Sequence, residues 1–242
     1  MLTNLNLIEK YYIIKNLLKL HFNKKISFGC KVRFIGPVSI KIKDKGRLVI
    51  GSKISLISGL MKNPLGRNIH SFIRIDEDAL IEIGDNVGIS NTCLWSKSKI
   101  KIGKNVKIGA DCLIFDSDMH SLNYLQRRSP LRDSSNAKSK PIIISDDVFI
   151  GTRSIITKNV KIGRRSIIAS GSVVTKSIPA DEIWGGNPAK FIKKIVLGTM
   201  KFKKYFNNSN KLAIFLNYAY EKGVKQLHVS NEYSSYNLLK KV

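Results

Sequence analysis

An aliphatic residue returns every sixth position through much of this chain: Ile144, Ile150, Ile156, Ile162, Ile168 and Val174. Ile102, Ile108 and Ile114 keep the same step, and so do Ile83 and Ile89, with one extra residue before the next run. Four segments align on this unit: residues 81–95, 100–114, 142–156 and 157–174. Upstream the pattern degrades, although Ile26, Val32, Val38 and then Ile42, Leu48, Ile54, Leu60 continue it. A period of six matches neither an amphipathic helix at 3.6 nor an alternating strand at 2. It matches short strands joined by tight turns and wound as a parallel β-helix, an all-β solenoid. Each aliphatic residue then points inward and stacks on its equivalent one coil away, at about 4.8 Å. The small residue that often follows gives the backbone room at the corner. Cys93 and Cys112 each stand nine residues after a repeat glycine, Gly84 and Gly103, and are expected to stack as small apolar residues.

A solenoid has open ends that need covering. Residues 1–25 carry Leu7, Ile8, Tyr11, Ile14, Leu17 and Leu18 at near-helical spacing, which predicts a capping helix. A second reading of the same stretch is a basic amphipathic helix resting on a membrane surface. The repeat domain is expected over 26–190, with a loop at 115–140, and a helical tail over 191–242. In that tail Phe191–Ile195 and Leu212–Glu221 read as helical, separated by a break at Asn207–Asn210.

The chain has 242 residues, 43% of them hydrophobic, enough to bury a core. Lys and Arg number 42 against 17 acids, a net charge of +25. That balance points to an anionic partner or to a solvated basic surface. No nucleic-acid module is legible, so no nucleic-acid partner is expected. Three cysteines without metal-ligand spacing suit a reducing compartment. Glu9 and Lys10 interrupt the first apolar run, so it lacks a signal-peptide layout, and no stretch approaches the ~20 apolar residues of a membrane span. The expected location is cytoplasmic, with the inner face of the membrane as the alternative setting.

Two further motifs accompany the ladder: DSDMHS, Asp116 to Ser121, and SGSVVTKSIPADEIWGGNPAKFIKKI, Ser170 to Ile195. With them, residues 81–195 resemble the hexapeptide-repeat acyltransferases, and most nearly the subgroup of maltose, galactoside and surface-polysaccharide O-acetyltransferases. The degenerate SGLMKNPLG, Ser58 to Gly66, resembles the N-terminal region of the polysaccharide enzymes. The resemblance implies a left-handed β-helix and a homotrimer with clefts between subunits. It also implies acetyl-CoA as donor and a sugar hydroxyl as acceptor, in surface-polysaccharide biosynthesis. Phe149 stands where the family usually has Trp, and Ser145 and Asn159 replace two customary glycines.

Moving an acetyl group from a thioester to an alcohol needs a base, and neutral imidazole suits that work. His120 is the one histidine in residues 81–195, His70 standing in an irregular stretch upstream, and it matches the family's catalytic position. Its second ring nitrogen needs an acceptor, for which Asp116, Asp118 or a backbone carbonyl are the candidates. No GxSxG elbow exists and no Cys lies in the loop, which leaves direct attack without an acyl-enzyme. The resemblance places Thr152, Ser170, Thr175 and Lys176 at coenzyme contacts, and Lys190 and Lys193 near the nucleotide phosphates. Ser90 and Asn91 are candidates for the acceptor side. The basic loop after His120, with Arg127, Arg128, Arg132, Lys138 and Lys140, is placed to cover the cleft and attract phosphates. Rival functions are an N-acetyltransferase of an amino-sugar nucleotide, an antibiotic acetyltransferase, and a non-catalytic β-helix that binds glycan or lipid. A zinc carbonic anhydrase on the same scaffold needs three His ligands, so no metal is expected.

Overall fold

The computed structural model describes residues 6–59, 63–66, 69–195, 228–231 and 234–237. Residues up to 195 form one unit and those from 196 another. In the second unit, His228–Asn231 pairs antiparallel with Ser234–Asn237. The predicted helix over Leu212–Glu221 lies outside the described residues.

The first unit is a left-handed parallel β-helix with three sheets, one along each side of its coils. The first sheet stacks Ile26–Phe28, Arg47–Ile50, Leu80–Ile83, Lys99–Ile102, Ile142–Ile144 and Lys161–Ile162. The second begins with Arg33–Ile35 and the third with Val38–Ile42, and each gains one strand per coil. Pairing is in register, so Leu94, Ile114, Ile156 and Val174 form one column and Ile89, Ile108, Ile150 and Ile168 another. All of these are fully or almost fully buried, which is why the hexad is visible in sequence. Each contributes about 1.5–3 kcal/mol of transfer free energy.

The corners explain the variable positions. Gly103, Gly109 and Gly151 follow inward isoleucines, and a Cβ on Gly151 would stand 2.5 Å from the Ser170 backbone nitrogen. Coil-to-coil approach requires glycine there. At the corner between the first and second sheets, Lys53, Asn86, Asn105, Asp147 and Arg165 all adopt left-handed φ near +60°. Asn and Asp tolerate that region best. They also hydrogen-bond along the ladder, Asn86 Nδ2 to Asn105 Oδ1 and Asn105 Nδ2 to Asp147 Oδ1, each at 2.9 Å. Asn159, at a customary glycine position, adopts φ +64°.

Two expectations need correction. Cys93 does not stack on Cys112 but pairs with Leu113. Five residues separate inward Ile89 from Leu94, whereas six separate Ile108 from Ile114, so the shorter corner shifts the register by one. Cys112 is fully buried, and burial pushes its thiol up to about 11. Phe191–Ile195 is not helical: Lys190–Lys194 is a strand, antiparallel to Glu182–Gly185 at the end of the second sheet.

Helix α1, Leu7–Phe22, opens with a capping box in which Asn6 and Glu9 satisfy each other's backbone nitrogens. It packs on the first coil and buries Ile13, Asn16 and Leu20. Asn16 Nδ2 donates to the carbonyls of Phe34 (3.0 Å) and Gly36 (2.9 Å), which have no preceding coil to pair with. Asn16→Ala leaves both carbonyls buried without that donor. It is expected to lower stability by about 1–3 kcal/mol, read from the urea unfolding midpoint.

Candidate active site

The long insertion leaves the ladder without disturbing it. Ile114 to Ile144 is thirty residues, a whole number of hexads, and Ile144 stacks on Ile102. A neck closes the root of the loop. Ser117 bridges Ser139, Asp118 N donates to Lys138 O at 3.0 Å, and Lys140 N donates to Asp116 O at 2.9 Å. Beyond the neck the chain forms two short helices, α2 (Tyr124–Arg127) and α3 (Pro130–Asn136). Asn123 caps α2 through Leu125 N, and Pro130 opens α3, where its missing N–H costs nothing.

His120 sits on this loop with its side chain 71% exposed. Its Nδ1 lies 2.6 Å from Asp133 Oδ2 on α3. The other oxygen of Asp133 accepts from Ser121 N at 2.7 Å. The hydrogen bond from His120, then that from Ser121, holds the Asp133 carboxyl below its ordinary value. An ionised carboxylate only accepts, so Nδ1 carries the hydrogen, and in the neutral imidazole the lone pair lies on Nε2. Arg127 Nη1 donates to Ser121 O at 2.6 Å, fixing the residue next to the imidazole from its other side. Met119 adopts φ +63°, a left-handed turn uncommon for a long side chain, immediately before His120.

The structure therefore gives the imidazole an acid that sequence proximity did not suggest. Asp116 is completely buried, whereas His120 is exposed. It accepts from Ser96 Oγ (2.7 Å), Lys97 N (2.7 Å) and Ser98 N (2.9 Å), sealing the corner of the preceding coil beneath the loop. Asp118 Oδ1 pairs with Lys158 Nζ at 2.8 Å, one coil further on. Asp133 was missed because it lies thirteen residues from His120 within a segment that reads as loop. The visible signal was the SPLRD run, a Ser-Pro helix start with an acid in its first turn.

The other expected residues fall on two corners and one edge. Asn91, Ala110, Thr152 and Ser170 form a column between the second and third sheets, joined by Asp111 N to Asn91 O, Arg153 N to Ala110 O and Gly171 N to Thr152 O. Thr152 is half-buried and Ser170 exposed. Asn91 is buried, and its Nδ2 donates to Ile69 O at 2.9 Å, so that donor is committed to the backbone. Ser90 beside it is half-buried. Thr175 and Lys176 are exposed at the corner after the third sheet, the same corner from which the loop departs two coils earlier. Lys190 and Lys193 are exposed on the terminal strand of the second sheet. On the outer face of the third sheet, Trp95 Nε1 donates to Asp76 Oδ2 at 3.1 Å. The Arg74 guanidinium lies 4.3 Å from the centre of the Trp95 ring, and sequence reasoning gave no sign of this cluster. No group of metal-ligating side chains occurs among the described residues.

Comparison with known proteins adds the family. A profile for bacterial transferase hexapeptide (six repeats) matches residues 141–176. A hexapeptide-repeat-containing acetyltransferase from Vibrio cholerae is 32% identical over 52% of this chain and 71% of that one, with a TM-score of 0.43. A 2,3,4,5-tetrahydropyridine-2,6-dicarboxylate N-acetyltransferase from Clostridium perfringens is 49% identical over 55 residues, 23% of each protein. The chain thus matches only about a quarter of the length of that curated relative. A variant N-acyltransferase from Bacillus cereus, solved with dTDP-4-amino-4,6-dideoxyglucose and coenzyme A, shares the fold. It is 18% identical over 86% of this chain and 96% of that one, with a TM-score of 0.50.

The geometry separates the roles of the acids. Asp116→Ala strands three donors, one buried and two partly buried, and is expected to cost roughly 3 kcal/mol in urea unfolding. For Asp133 the folded-state value is depressed, so its contribution is present above the unfolded value and is lost as pH falls through the folded one. Amide exchange at Ser121 is therefore expected to stay protected through the ordinary carboxylate range and to lose protection only in stronger acid.

Proposed function

Since the chain belongs to the bacterial hexapeptide-repeat transferases, we propose that it moves an acetyl group from acetyl-CoA to a sugar hydroxyl, in surface-polysaccharide synthesis on the cytoplasmic side. The observation that carries this reading is the His120–Asp133 pair on an outward loop, with Nε2 open to an incoming hydroxyl. The hydroxyl oxygen attacks the thioester carbonyl carbon while Nε2 takes its proton. Asp133 holds the tautomer and stabilises the imidazolium. The tetrahedral intermediate collapses, the carbon–sulfur bond breaks, and the imidazolium returns the proton to the departing thiolate. A backbone N–H of the coils is suited to receive the developing oxyanion. No acyl-enzyme is required.

The coenzyme candidates Thr152 and Ser170 lie along one corner, while His120, Thr175 and Lys176 lie along the next. This arrangement supports a homotrimer in which one copy's loop faces a neighbour's corner. Lys176, Lys190 and Lys193 are exposed cations suited to the nucleotide phosphates. Ser90 remains the candidate on the acceptor side.

A second reading, acetylation of an amine on an amino-sugar nucleotide, draws support from the relatives named as N-acetyltransferases. Parallel assays with sugar alcohols and amino sugars, each with acetyl-CoA, separate the two.

His120→Ala is expected to lower kcat/KM by about 10²–10⁴-fold while calorimetry shows unchanged coenzyme binding. Asp133→Asn should reduce kcat with little change in KM. Full activity in folded His120→Ala would refute the base assignment, and sedimentation at the monomer mass would refute the shared site.

A further inference from the structure

Helix α1 carries two apolar stripes, and the solenoid uses one. Ile13, Asn16 and Leu20 face the first coil and are buried. At about 100° per residue, Leu7, Tyr11, Ile14, Leu18 and Phe22 fall on the opposite side. Their exposures are 83, 55, 59, 50 and 77%. The stripe runs the length of the helix, about 24 Å. Nothing in the packing of the first coil calls for it, since the buried face already supplies the cap.

Charge surrounds this stripe with one sign. Over residues 1–45 there are ten Lys or Arg and two acids: Glu9, which is buried and held in the capping box, and Asp44, which pairs with Lys25 beyond the helix. Lys10 and Lys15 flank the stripe on opposite sides, and Lys24 follows the helix. The strands beneath α1 are the first of each sheet, so its outer face looks away from the coils.

We propose that this face docks on an anionic lipid bilayer. The helix lies in the plane of the interface, with the apolar stripe in the headgroup–acyl boundary and the lysines extended to the lipid phosphates. It does not insert further, because Asn16, Lys19 and Leu20 tie its inner face to the first coil. No helix among the described residues is long and apolar enough to cross a membrane. A symmetric contact between two copies fits the charge less well. It would set the lysine flanks of one helix against those of the other with no exposed acid on either helix, whereas an anionic bilayer neutralises both flanks.

The test uses the full chain and sucrose-loaded vesicles, of phosphatidylcholine alone or mixed with phosphatidylglycerol. The protein is expected to co-sediment with the anionic vesicles and to bind about tenfold more weakly to phosphatidylcholine or at high salt. The double variant Ile14→Asp/Leu18→Asp should lose at least about tenfold in vesicle binding. Its unfolding midpoint should hold, since both residues face solvent. Equal binding to the two vesicle types, no binding at all, or unchanged binding by the folded double variant overturns the proposal. So does a lipid-free assembly that this variant disperses, which would assign the stripe to a second copy. Vesicle binding is read without any transfer assay, so its outcome is independent of the proposed chemistry.

Discussion

The stacking of one aliphatic side chain on its equivalent in the next coil is the constraint from which the rest of this molecule follows. The stack is held by parallel backbone hydrogen bonds, such as Gly109 N to Ile150 O and Gly151 N to Ile168 O, both 2.8 Å. A rise fixed at about 4.8 Å per coil leaves no tolerance for bulk at certain corners, hence the glycines whose Cβ would meet the next backbone. It leaves none for slippage either. A large excursion is compatible with it only if both ends return to the same place. The neck from Ser117 to Lys140 meets that condition, and the coil after it resumes as though the loop were absent.

The same constraint divides the acidic residues between two kinds of work. Asp116 sits where the chain leaves the coil, and its carboxylate replaces the backbone acceptor that a regular next residue would have offered to Lys97 N and Ser98 N. It is committed to the scaffold. Asp118 meets Lys158 from the following coil and ties the neck to the ladder. The imidazole is then left to an acid from within the loop, Asp133, on a helix that the loop itself builds. An orienting group carried by the same insertion keeps its distance to His120 whatever small adjustments the neck makes. Met119's left-handed turn and the Arg127–Ser121 contact reinforce that local rigidity.

The hexad made the solenoid legible, because burial of every sixth residue is a consequence of the geometry that also writes the pattern. The same logic failed where the pattern encodes nothing. One fewer residue at the corner after Ile89 moved Cys93 out of line with Cys112, and no composition rule announces a one-residue shortening. Asn91 looked like a polar residue open to ligand, but it is buried and its Nδ2 donates to Ile69 O, a partner twenty-two residues away in sequence. Lys190–Lys194 pairs as a strand because Glu182–Gly185 offers an edge, a tertiary reason invisible to local propensity. Two acids beside a histidine drew attention by adjacency, although a loop long enough to fold back makes adjacency a poor guide.

The two ends of the stack show how its length is fixed. At the first coil, α1 supplies Leu20 to the core and Asn16 to the orphan carbonyls, so a further coil has no place to add. At the last, the chain reverses: Lys190–Lys194 runs antiparallel to Glu182–Gly185, and the parallel ladder of the second sheet stops. Among the described residues this antiparallel strand is the last of its sheet, and it carries Lys190, Lys193 and Lys194. Charged lysines on an outermost strand discourage pairing with another chain. They also give positive charge to the end of the coils nearest Thr175 and Lys176. Under the proposed function, protection of the edge and attraction of phosphates ask for the same side chain at the same place.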